Sequence, residues 1–171
     1  VIGEEIYNEF VSPSLWQGTM EFAKRLLAAG DEVWLVTASH QDFAELIGRK
    51  LGFTGALGTR AETKDGKYTG NLIGNLLHGK EKSHAVKELT AKRDINIKDC
   101  FAYSDSHNDL PLLEAVGFPN AINPDAKLRI ISFSSGWPVH DFRRLRWLNR
   151  FVGPIVSRFA GLWTYLTARK K

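Results

Sequence analysis

The sequence predicts an α/β fold around a mostly parallel sheet, and three observations support this prediction. Helical and strand-like patterns alternate along the 171 residues, which is the order of elements in α/β proteins. The strand-like runs EVWLVTAS and DCFAYSDS are short and almost continuously apolar, as strands buried on both faces of a parallel sheet usually are. Both runs end in small polar residues that lead into another helical pattern. We therefore expect a doubly wound, three-layer sandwich of helices and sheet.

The first half of the chain predicts a helix, a strand, a second helix and a hairpin. Apolar residues recur at helical spacing over 14–29, and this period indicates a helix with one apolar face. The run EVWLVTAS (32–39) predicts the first buried strand, and the next helix is expected over Gln41–Leu51. Over 58–70 the chain is polar, with an Asp-Gly pair at its centre. Asp-Gly between extended flanks is a strong hairpin signal.

The second half predicts two more helices and three more strands. The helices are expected over 82–92 and 110–116, and DCFAYSDS (99–106) is expected to be the buried strand between them. The short runs PNAINP (119–124) and LRIISFS (128–134) predict the last strands. Strands that alternate with helices in this way indicate a parallel sheet.

The composition is that of an ordinary globular protein, with 43% hydrophobic and 25% charged residues, which is enough to bury a core in one domain. The single cysteine, Cys100, excludes an internal disulfide and leaves no cysteine cluster for zinc, so we expect a reducing, cytoplasmic compartment. The first ten residues are acidic and lack the basic and apolar regions of a signal peptide.

The basic residues are concentrated at the C-terminal end. Beyond Phe142 there are eight basic residues and no acidic ones, although the whole chain has a net charge of only +4, so the remainder is mildly acidic. The basic residues are Arg143, Arg144, Arg146, Arg150, Arg158, Arg169, Lys170 and Lys171. An acidic body argues against nucleic acid as a partner. We divide the chain into a core over 1–142 and a basic tail over 143–171.

The tail predicts a basic amphipathic helix. From Leu145 onward, apolar residues are spaced three and four apart, with a kink expected at Gly153-Pro154. Arginines interrupt the apolar run before it reaches the roughly 20 residues that a membrane span needs. Two interpretations stay open: peripheral contact with an anionic membrane at its inner face, or packing of the apolar stripe on the protein itself.

Two predicted strand ends carry polar clusters, at Thr37 to Ser39 and at Ser104 to Ser106. Ligands bind at the carboxyl ends of strands in open α/β sheets, and the helices that follow favour anions such as phosphate. Asp105 and Asp109 offer carboxylate oxygens, which suit Mg²⁺. Taken singly, each residue also fits a helix cap or a solvated surface position. Their joint order along the chain favours a site for phosphate and its metal.

From about Pro13 to Phe142 this order resembles the haloacid dehalogenase (HAD) superfamily, specifically its phosphoserine-phosphatase-like subfamily IB. The run LVTAS resembles the second motif of the family, which implies that Thr37, Ala38 and Ser39 bind the phosphoryl group. The run GKEK resembles the third motif, in which a lysine neutralises the phosphate and the nucleophile. Lys82 is preferred to Lys80 because the family lysine is the last residue of a G-x-x-K turn.

The run YSDSHNDLPLL resembles the fourth HAD motif. The resemblance implies that Asp105 ligates Mg²⁺ and that Asn108 approaches the phosphate. Asp109 would orient the site by holding Lys82 and would be the second carboxylate of the metal site. The catalytic set implied by the family is therefore Lys82, Asp105 and Asp109, with Mg²⁺ as the cofactor.

The resemblance implies hydrolysis of a phosphate monoester through a phosphoaspartyl intermediate. Family enzymes attack phosphorus with the first aspartate of a D-x-D-x-T/V motif, but no D-x-D occurs in this sequence. The family places that strand centrally, between the strands that end in Thr37 and Asp105. We therefore expect the C-terminal part of a longer phosphatase, with the core incomplete at its N-terminus and the isolated chain inactive.

The substrate is expected to be a small phosphomonoester such as phosphoserine. The family's helical cap, which chooses the substrate, is also missing from the resemblance. One alternative is a lipid phosphate, similar to phosphatidylglycerophosphate, hydrolysed at the membrane surface. A second alternative, from another class, is a non-catalytic binding or interaction module that kept the fold and lost the nucleophile.

Overall fold

The computed structural model describes residues 2–143. One compact unit ends at His140, so the predicted boundary after residue 142 is not tested. Arg143 is the one residue of the basic tail that the structure describes, and the helix predicted from Leu145 onward lies outside the described residues. Within residues 2–143, no helix combines the length and the apolar character needed to cross a membrane.

Residues 2–143 contain six α-helices, two before the first strand and four between later strands. They are α1 (Ile2–Ile6), α2 (Gln17–Ala28), α3 (Gln41–Leu51), α4 (Lys80–Lys92), α5 (Leu110–Ala115) and α6 (Ala126–Ser134). A π-helical turn (Tyr7–Val11) and a 3₁₀ turn (Ser12–Ser14) join α1 to the segment before α2, and two further 3₁₀ turns (Ile97–Asp99 and His107–Asp109) flank the strand before α5. The predicted helix over 41–51 is confirmed at both ends, where His40 caps the start and Gly52, at φ 72°, ends it.

The strands form two separate parallel ladders and one hairpin. They are β1 (Trp34–His40), β2 (Gly55–Thr59), β3 (Ala61–Lys64), β4 (Lys67–Leu72), β5 (Phe101–Ser104), β6 (Phe118–Ile122) and β7 (Val139–His140). β1 pairs with β2, and β5, β6 and β7 pair in that order, all in parallel, whereas β3 and β4 are antiparallel. The α/β fold with parallel strands is confirmed. Among the described residues, no ladder joins β1 to β5, the position at which the resemblance places a further strand.

The hairpin is confirmed by its turn. Asp65 and Gly66 have φ values of 52° and 75°, and positive φ at both central residues matches the right-handed twist of the flanking strands. Tyr68 on β4 donates its hydroxyl hydrogen to Asp42 over 3.2 Å. The hairpin is therefore fastened to the first turn of α3, directly after the β1 strand end.

The strand predicted for LRIISFS (128–134) is wrong, because this run lies in α6. Its buried residues follow a helical period: Leu128 and Ser132, four apart, are fully buried, whereas Ile130 and Phe133 are exposed. Asp125 supplies the start signal, since its side chain accepts a 2.7 Å hydrogen bond from the Leu128 amide. The helix cap outweighs the strand preference of the two adjacent isoleucines.

The core lies between the β5–β6–β7 sheet and the helices on one of its faces. Its buried members are Ala102, Leu112, Leu113, Val116, Ala121 and Leu128. Fully burying a leucine contributes about 1.5–3 kcal/mol, and both Leu113 and Leu128 have no exposed surface. This packing fixes the carboxyl end of β5 between α4, α5 and α6.

Candidate active site

A buried ion pair lies at the carboxyl end of β5. Lys82 Nζ is 2.9 Å from Asp109 Oδ2, and the two side chains are only 15% and 10% exposed. The Ser104 hydroxyl donates to the same carboxylate oxygen over 2.7 Å. Lys82 lies in the first turn of α4, and Asp109 ends the 3₁₀ turn that precedes α5. The predicted contact between Asp109 and Lys82 is present, and it joins two helices across the strand end.

Lys80 differs from Lys82 in its surroundings. Lys80 begins α4 and is exposed, whereas Lys82 points its ammonium at Asp109 from a mostly buried position. Gly79, just before the helix, has φ 55° and ψ −121°, a backbone region that glycine adopts without steric cost. The glycine of GKEK therefore permits the tight entry into α4 that presents Lys82 to the strand end.

Asp105 and Asn108 are exposed on the turn that follows β5. Serine hydroxyls organise this turn: Ser104 Oγ accepts from the Ser106 amide over 3.1 Å, and Ser106 Oγ accepts from the Asn108 amide over 3.3 Å. The carbonyl oxygen of Asp105 accepts a 2.7 Å hydrogen bond from the Asp125 amide. The backbone of the turn is thus held on both sides, with the predicted metal and phosphate residues at the surface.

Asp125 and His107 form a second polar cluster beside this turn, which sequence reasoning missed. Asp125 Oδ2 accepts from the His107 amide over 2.9 Å and lies 3.0 Å from His107 Nδ1. The Leu128 and His107 amides, and then the His107 ring, hold the pKa of the Asp125 carboxyl far below its usual range. The sequence signal for Asp125 is an aspartate at the start of a helix. The strand predicted over 128–134 hid this signal.

The predicted phosphate-binding residues lie at the carboxyl end of β1. Thr37 and Ala38 are half-buried and Ser39 is exposed. Thr37 Oγ1 accepts from the Ser39 amide and donates to Ser39 Oγ, with both distances 3.2 Å. The pairing of β1 with β2 shifts register between Val36 and His40, so the strand is irregular where these polar residues occur.

Thr59, which the sequence did not single out, links the β1 end to the segment before α4. Its hydroxyl donates to the Ala38 carbonyl over 2.8 Å and accepts from the Leu77 amide over 3.1 Å. The residue is buried, with 5% of its surface exposed. Thr59 therefore joins the β1 end by hydrogen bonds to the segment that leads into α4, the helix that carries Lys82.

The donor set near Asp105 fits magnesium better than zinc. A structural zinc site needs several His, Cys, Asp or Glu ligands grouped together. Within residues 2–143, no three or more of these side chains are grouped so that they could hold a metal ion. Magnesium is usually bound through one or two carboxylates and keeps several waters. Asp105 is exposed directly after β5, and Asp109 ends the 3₁₀ turn that follows, so this turn carries two carboxylates, of which Asp109 is already paired with Lys82.

Comparison with known proteins identifies the family. A model of haloacid dehalogenase-like hydrolases matches residues 2–114, and this range contains all three motifs quoted above. The chain belongs to the HAD-like hydrolases. It is 50% identical over 153 residues to a phosphoserine phosphatase of Mycobacterium tuberculosis, with 90% of this chain and 50% of that protein covered.

Solved structures show the same fold. A protein of unknown function from Bordetella pertussis Tohama I superposes with a TM-score of 0.76 at 36% identity, covering 82% of this chain and 64% of that one. A substrate-bound phosphoserine phosphatase gives a TM-score of 0.57 at 26% identity, covering 77% and 61%. The chain spans about half the length of the curated relatives it matches. The resemblance to phosphoserine-phosphatase-like HAD proteins is therefore confirmed.

Proposed function

We propose that this chain supplies the phosphate- and magnesium-binding part of a HAD phosphatase that hydrolyses a phosphate monoester through a phosphoaspartyl intermediate. The buried Lys82–Asp109 pair, 2.9 Å long at the end of β5, is the observation that carries the proposal. A mostly buried ammonium held by one carboxylate, beside an exposed aspartate, suits a site that stabilises charge on a phosphoryl group. The residue roles below belong to the same proposal.

Lys82 is the group that neutralises phosphate charge. Its contact with Asp109 fixes the ammonium at the strand end, and its remaining N–H bonds can donate to phosphoryl oxygens. Phosphoryl transfer depends mainly on positioning and on charge stabilisation. Asp109 therefore orients Lys82, and Ser104 holds the Asp109 carboxylate in place.

Thr37, Ala38 and Ser39 bind the phosphoryl group from the other strand end. The hydroxyls of Thr37 and Ser39 and the backbone amides near the start of α3 are donors, and a helix start favours an anion. Asn108 adds a side-chain amide from the turn after β5. These donors stabilise the transferring group without changing their own charge.

Asp105, with Asp109 behind it, is proposed to hold Mg²⁺. When bound, the ion supplies positive charge beside the phosphoryl oxygens. The chain's own contribution is the position of Asp105, whose backbone is fixed by the Asp125 amide and the serine-rich turn.

The nucleophile is proposed to come from a strand outside these 171 residues, because no D-x-D occurs among them. Within the described residues, β1 pairs only with β2 and β5 only with β6, so each presents an edge that can accept such a strand. The first aspartate of that strand attacks phosphorus, and the ester P–O bond breaks as the leaving oxygen takes a proton from the second aspartate of the same motif. Water then attacks the phosphorus of the phosphoaspartate and gives its proton to the second aspartate, which releases phosphate and regenerates the carboxylate of the first.

The proposed substrate is a small cytoplasmic phosphomonoester, with phosphoserine as the first candidate because a relative with 50% identity is a phosphoserine phosphatase. The test purifies the protein from its own source, measures its intact mass and follows phosphate release from phosphoserine with and without Mg²⁺. We expect a mass above 19.2 kDa and release that stops when Mg²⁺ is chelated. A mass of 19.2 kDa with no hydrolysis would contradict the proposal and favour a non-catalytic binding module.

A lipid-phosphate substrate would need membrane contact through the basic tail at 143–171. That segment is outside the described residues except for Arg143, so the contact stays a prediction. Co-sedimentation of the full chain with anionic and neutral vesicles tests it. Binding to anionic vesicles that weakens as salt is raised would support the lipid alternative, and equal or absent binding would contradict it.

A further inference from the structure

We propose that Asp125, in addition to capping α6, positions the turn that runs from Asp105 to Asn108. This inference rests on the proposed function, because the turn carries the residues assigned to Mg²⁺ and phosphate. Asp125 does not itself reach the substrate in this account. It acts by holding the backbone from which Asp105 and Asn108 project.

Asp125 makes contacts in two directions. Oδ1 accepts from the Leu128 amide over 2.7 Å, which is the ordinary work of a helix cap. Oδ2 faces the other way, accepting from the His107 amide over 2.9 Å and lying 3.0 Å from the His107 ring nitrogen. The Asp125 amide in turn donates to the Asp105 carbonyl over 2.7 Å. One residue therefore binds the turn at two points, one on each side of Ser106.

The contacts to the turn exceed what a cap requires. A serine or asparagine caps a helix about as well as aspartate does with a single oxygen, so the second carboxylate oxygen is needed only for His107. Asp105 and Asn108 are exposed, and their placement depends on the backbone beneath them. Residues that orient a metal ligand in this way typically change metal affinity by about 10–100-fold when removed.

The segment before α6 supports Asp125 in this position. Pro124 is fully buried, and the Asn123 amide donates to the His140 carbonyl over 2.8 Å. Asn123 also has φ 47°, a left-handed conformation that asparagine tolerates better than most residues. The loop between β6 and α6 is thus bound to β7, and Asp125 on the same loop is bound to the turn after β5. The turn is therefore held by a loop that is itself fixed.

Two substitutions separate the cap from the positioning role. Asp125→Ala removes the cap and the side-chain contacts to His107, whereas Asp125→Ser restores an oxygen for the Leu128 amide but cannot serve Leu128 and His107 together. The backbone hydrogen bond from Asp125 to the Asp105 carbonyl stays in both variants, so the comparison tests the side-chain part of the positioning role. The matched control is Asn96→Ala, because Asn96 caps the 3₁₀ turn before β5 by accepting from the Lys98 amide over 3.0 Å. That cap lies at the opposite end of the strand from the site. Asp105→Asn reports whether the Mg²⁺ signal belongs to the proposed site.

The full chain is titrated with Mg²⁺ in the presence of inorganic phosphate, and unfolding by urea is measured for each variant. We expect Asp125→Ala and Asp125→Ser each to weaken Mg²⁺ binding about tenfold or more. Asp125→Ser should recover unfolding stability, and Asn96→Ala should lose stability while keeping its Mg²⁺ affinity. Affinity that follows stability across all variants, or that is unchanged in Asp125→Ala, would overturn the inference and leave the proposed function standing.

Hydrogen exchange at the Ser106 to Asn108 amides separates failure of the inference from failure of the proposed function. If the wild-type chain shows no Mg²⁺ binding, or Asp105→Asn leaves it unchanged, the proposed metal site fails. The positioning role is then decided by exchange alone. Exchange about tenfold faster in Asp125→Ser than in Asn96→Ala supports it. Equal exchange in the two variants overturns it.

Discussion

The two strand ends that form the candidate site are stabilised by different kinds of contact. At the end of β5, a charged pair of 2.9 Å joins Lys82 to Asp109, residues far apart in sequence, and both side chains are mostly buried. At the end of β1, the contacts of Thr37 and Ser39 are neutral hydrogen bonds of 3.2 Å between residues two apart. Hydrogen bonds to charged groups are shorter and roughly twice as strong as neutral ones.

This difference indicates how the site is assembled. The β5 end is fixed by the described chain alone, because α4, α5 and α6 all contribute contacts to it. At the β1 end, the Thr59 hydroxyl holds the Ala38 carbonyl from a distant part of the chain, but the side chains of Thr37 and Ser39 bond locally to each other. We propose that these two hydroxyls serve an anion. We infer that electrostatic preorganisation resides at the β5 end, and that the β1 end is completed by the phosphoryl group.

The largest expected effect comes from breaking the charged pair. Asp109→Ala leaves the Lys82 ammonium mostly buried without its carboxylate, and we expect unfolding free energy to fall by about 3–5 kcal/mol. Urea unfolding measures it. The double variant Lys82→Met with Asp109→Leu should recover most of the loss, since it removes both buried charges. A loss below about 1 kcal/mol in Asp109→Ala would show that the pair behaves like an exposed one.

Thr59→Val tests the connection between the two strand ends. The change keeps the shape but leaves the Leu77 amide and the Ala38 carbonyl without their partner, so we expect a loss of about 1–3 kcal/mol. Thr59→Ser should retain most of the stability because it keeps the hydroxyl. Thr69→Val is the matched control, since Thr69 is exposed on β4. Equal losses at the two positions would contradict the connecting role of Thr59.

Thr37→Val tests the β1 end directly. Only a local neutral contact is lost, so we expect unfolding free energy to fall by about 0.5–1 kcal/mol. Phosphate binding should weaken by about 10–150-fold, because a hydrogen bond to a charged group contributes about 1.5–3 kcal/mol. Phosphate titration with urea unfolding separates the two effects. A large stability loss with unchanged phosphate binding would reverse the comparison between the strand ends.

The smallest effect concerns Cys100, which immediately precedes β5 and packs against the core. Burial, and then the Asp99 charge, raise the pKa of its thiol. Less thiolate is therefore present at a given pH, and alkylation by iodoacetamide at mildly alkaline pH should be slower in the folded chain than in urea. Asp109→Ala should speed the reaction if the β5 end loosens. Equal rates in folded and unfolded wild-type protein would contradict burial of the thiol.

Local patterns in the sequence predicted most of the elements, whereas the three motif positions came from the family resemblance and lie within the residues that the family model matches. The helix at Gln41–Leu51 and the Asp-Gly hairpin depend on caps and turn residues that are adjacent in sequence. The contact between Lys82 and Asp109 came from the family resemblance, since spacing alone does not bring residues that far apart together. The roles of these site residues remain a proposal.

The incorrect and missed predictions have two causes. Some depend on contacts between residues far apart in the sequence, and one depends on a run whose pattern fits both a strand and a helix. The run at 128–134 fits a strand pattern, but it forms a helix because the Asp125 side chain caps its first turn at the Leu128 amide. Nothing in the sequence distinguishes Thr59 from the other threonines, because its hydrogen bonds to Ala38 and Leu77 form only in the folded chain. Asp125 likewise gains its second role only when β5 and β6 pair in parallel and place their strand ends side by side.

The most direct test of the account compares two lysines two residues apart in the first turn of α4. Lys82→Gln keeps a donor for Asp109 but removes the charge, whereas Lys80→Gln removes an exposed charge from the same turn. Inorganic phosphate is titrated into each variant in the presence of Mg²⁺. We expect phosphate affinity to fall by about tenfold or more in Lys82→Gln and to be nearly unchanged in Lys80→Gln. Loss in Lys80→Gln with binding kept in Lys82→Gln would contradict this expectation.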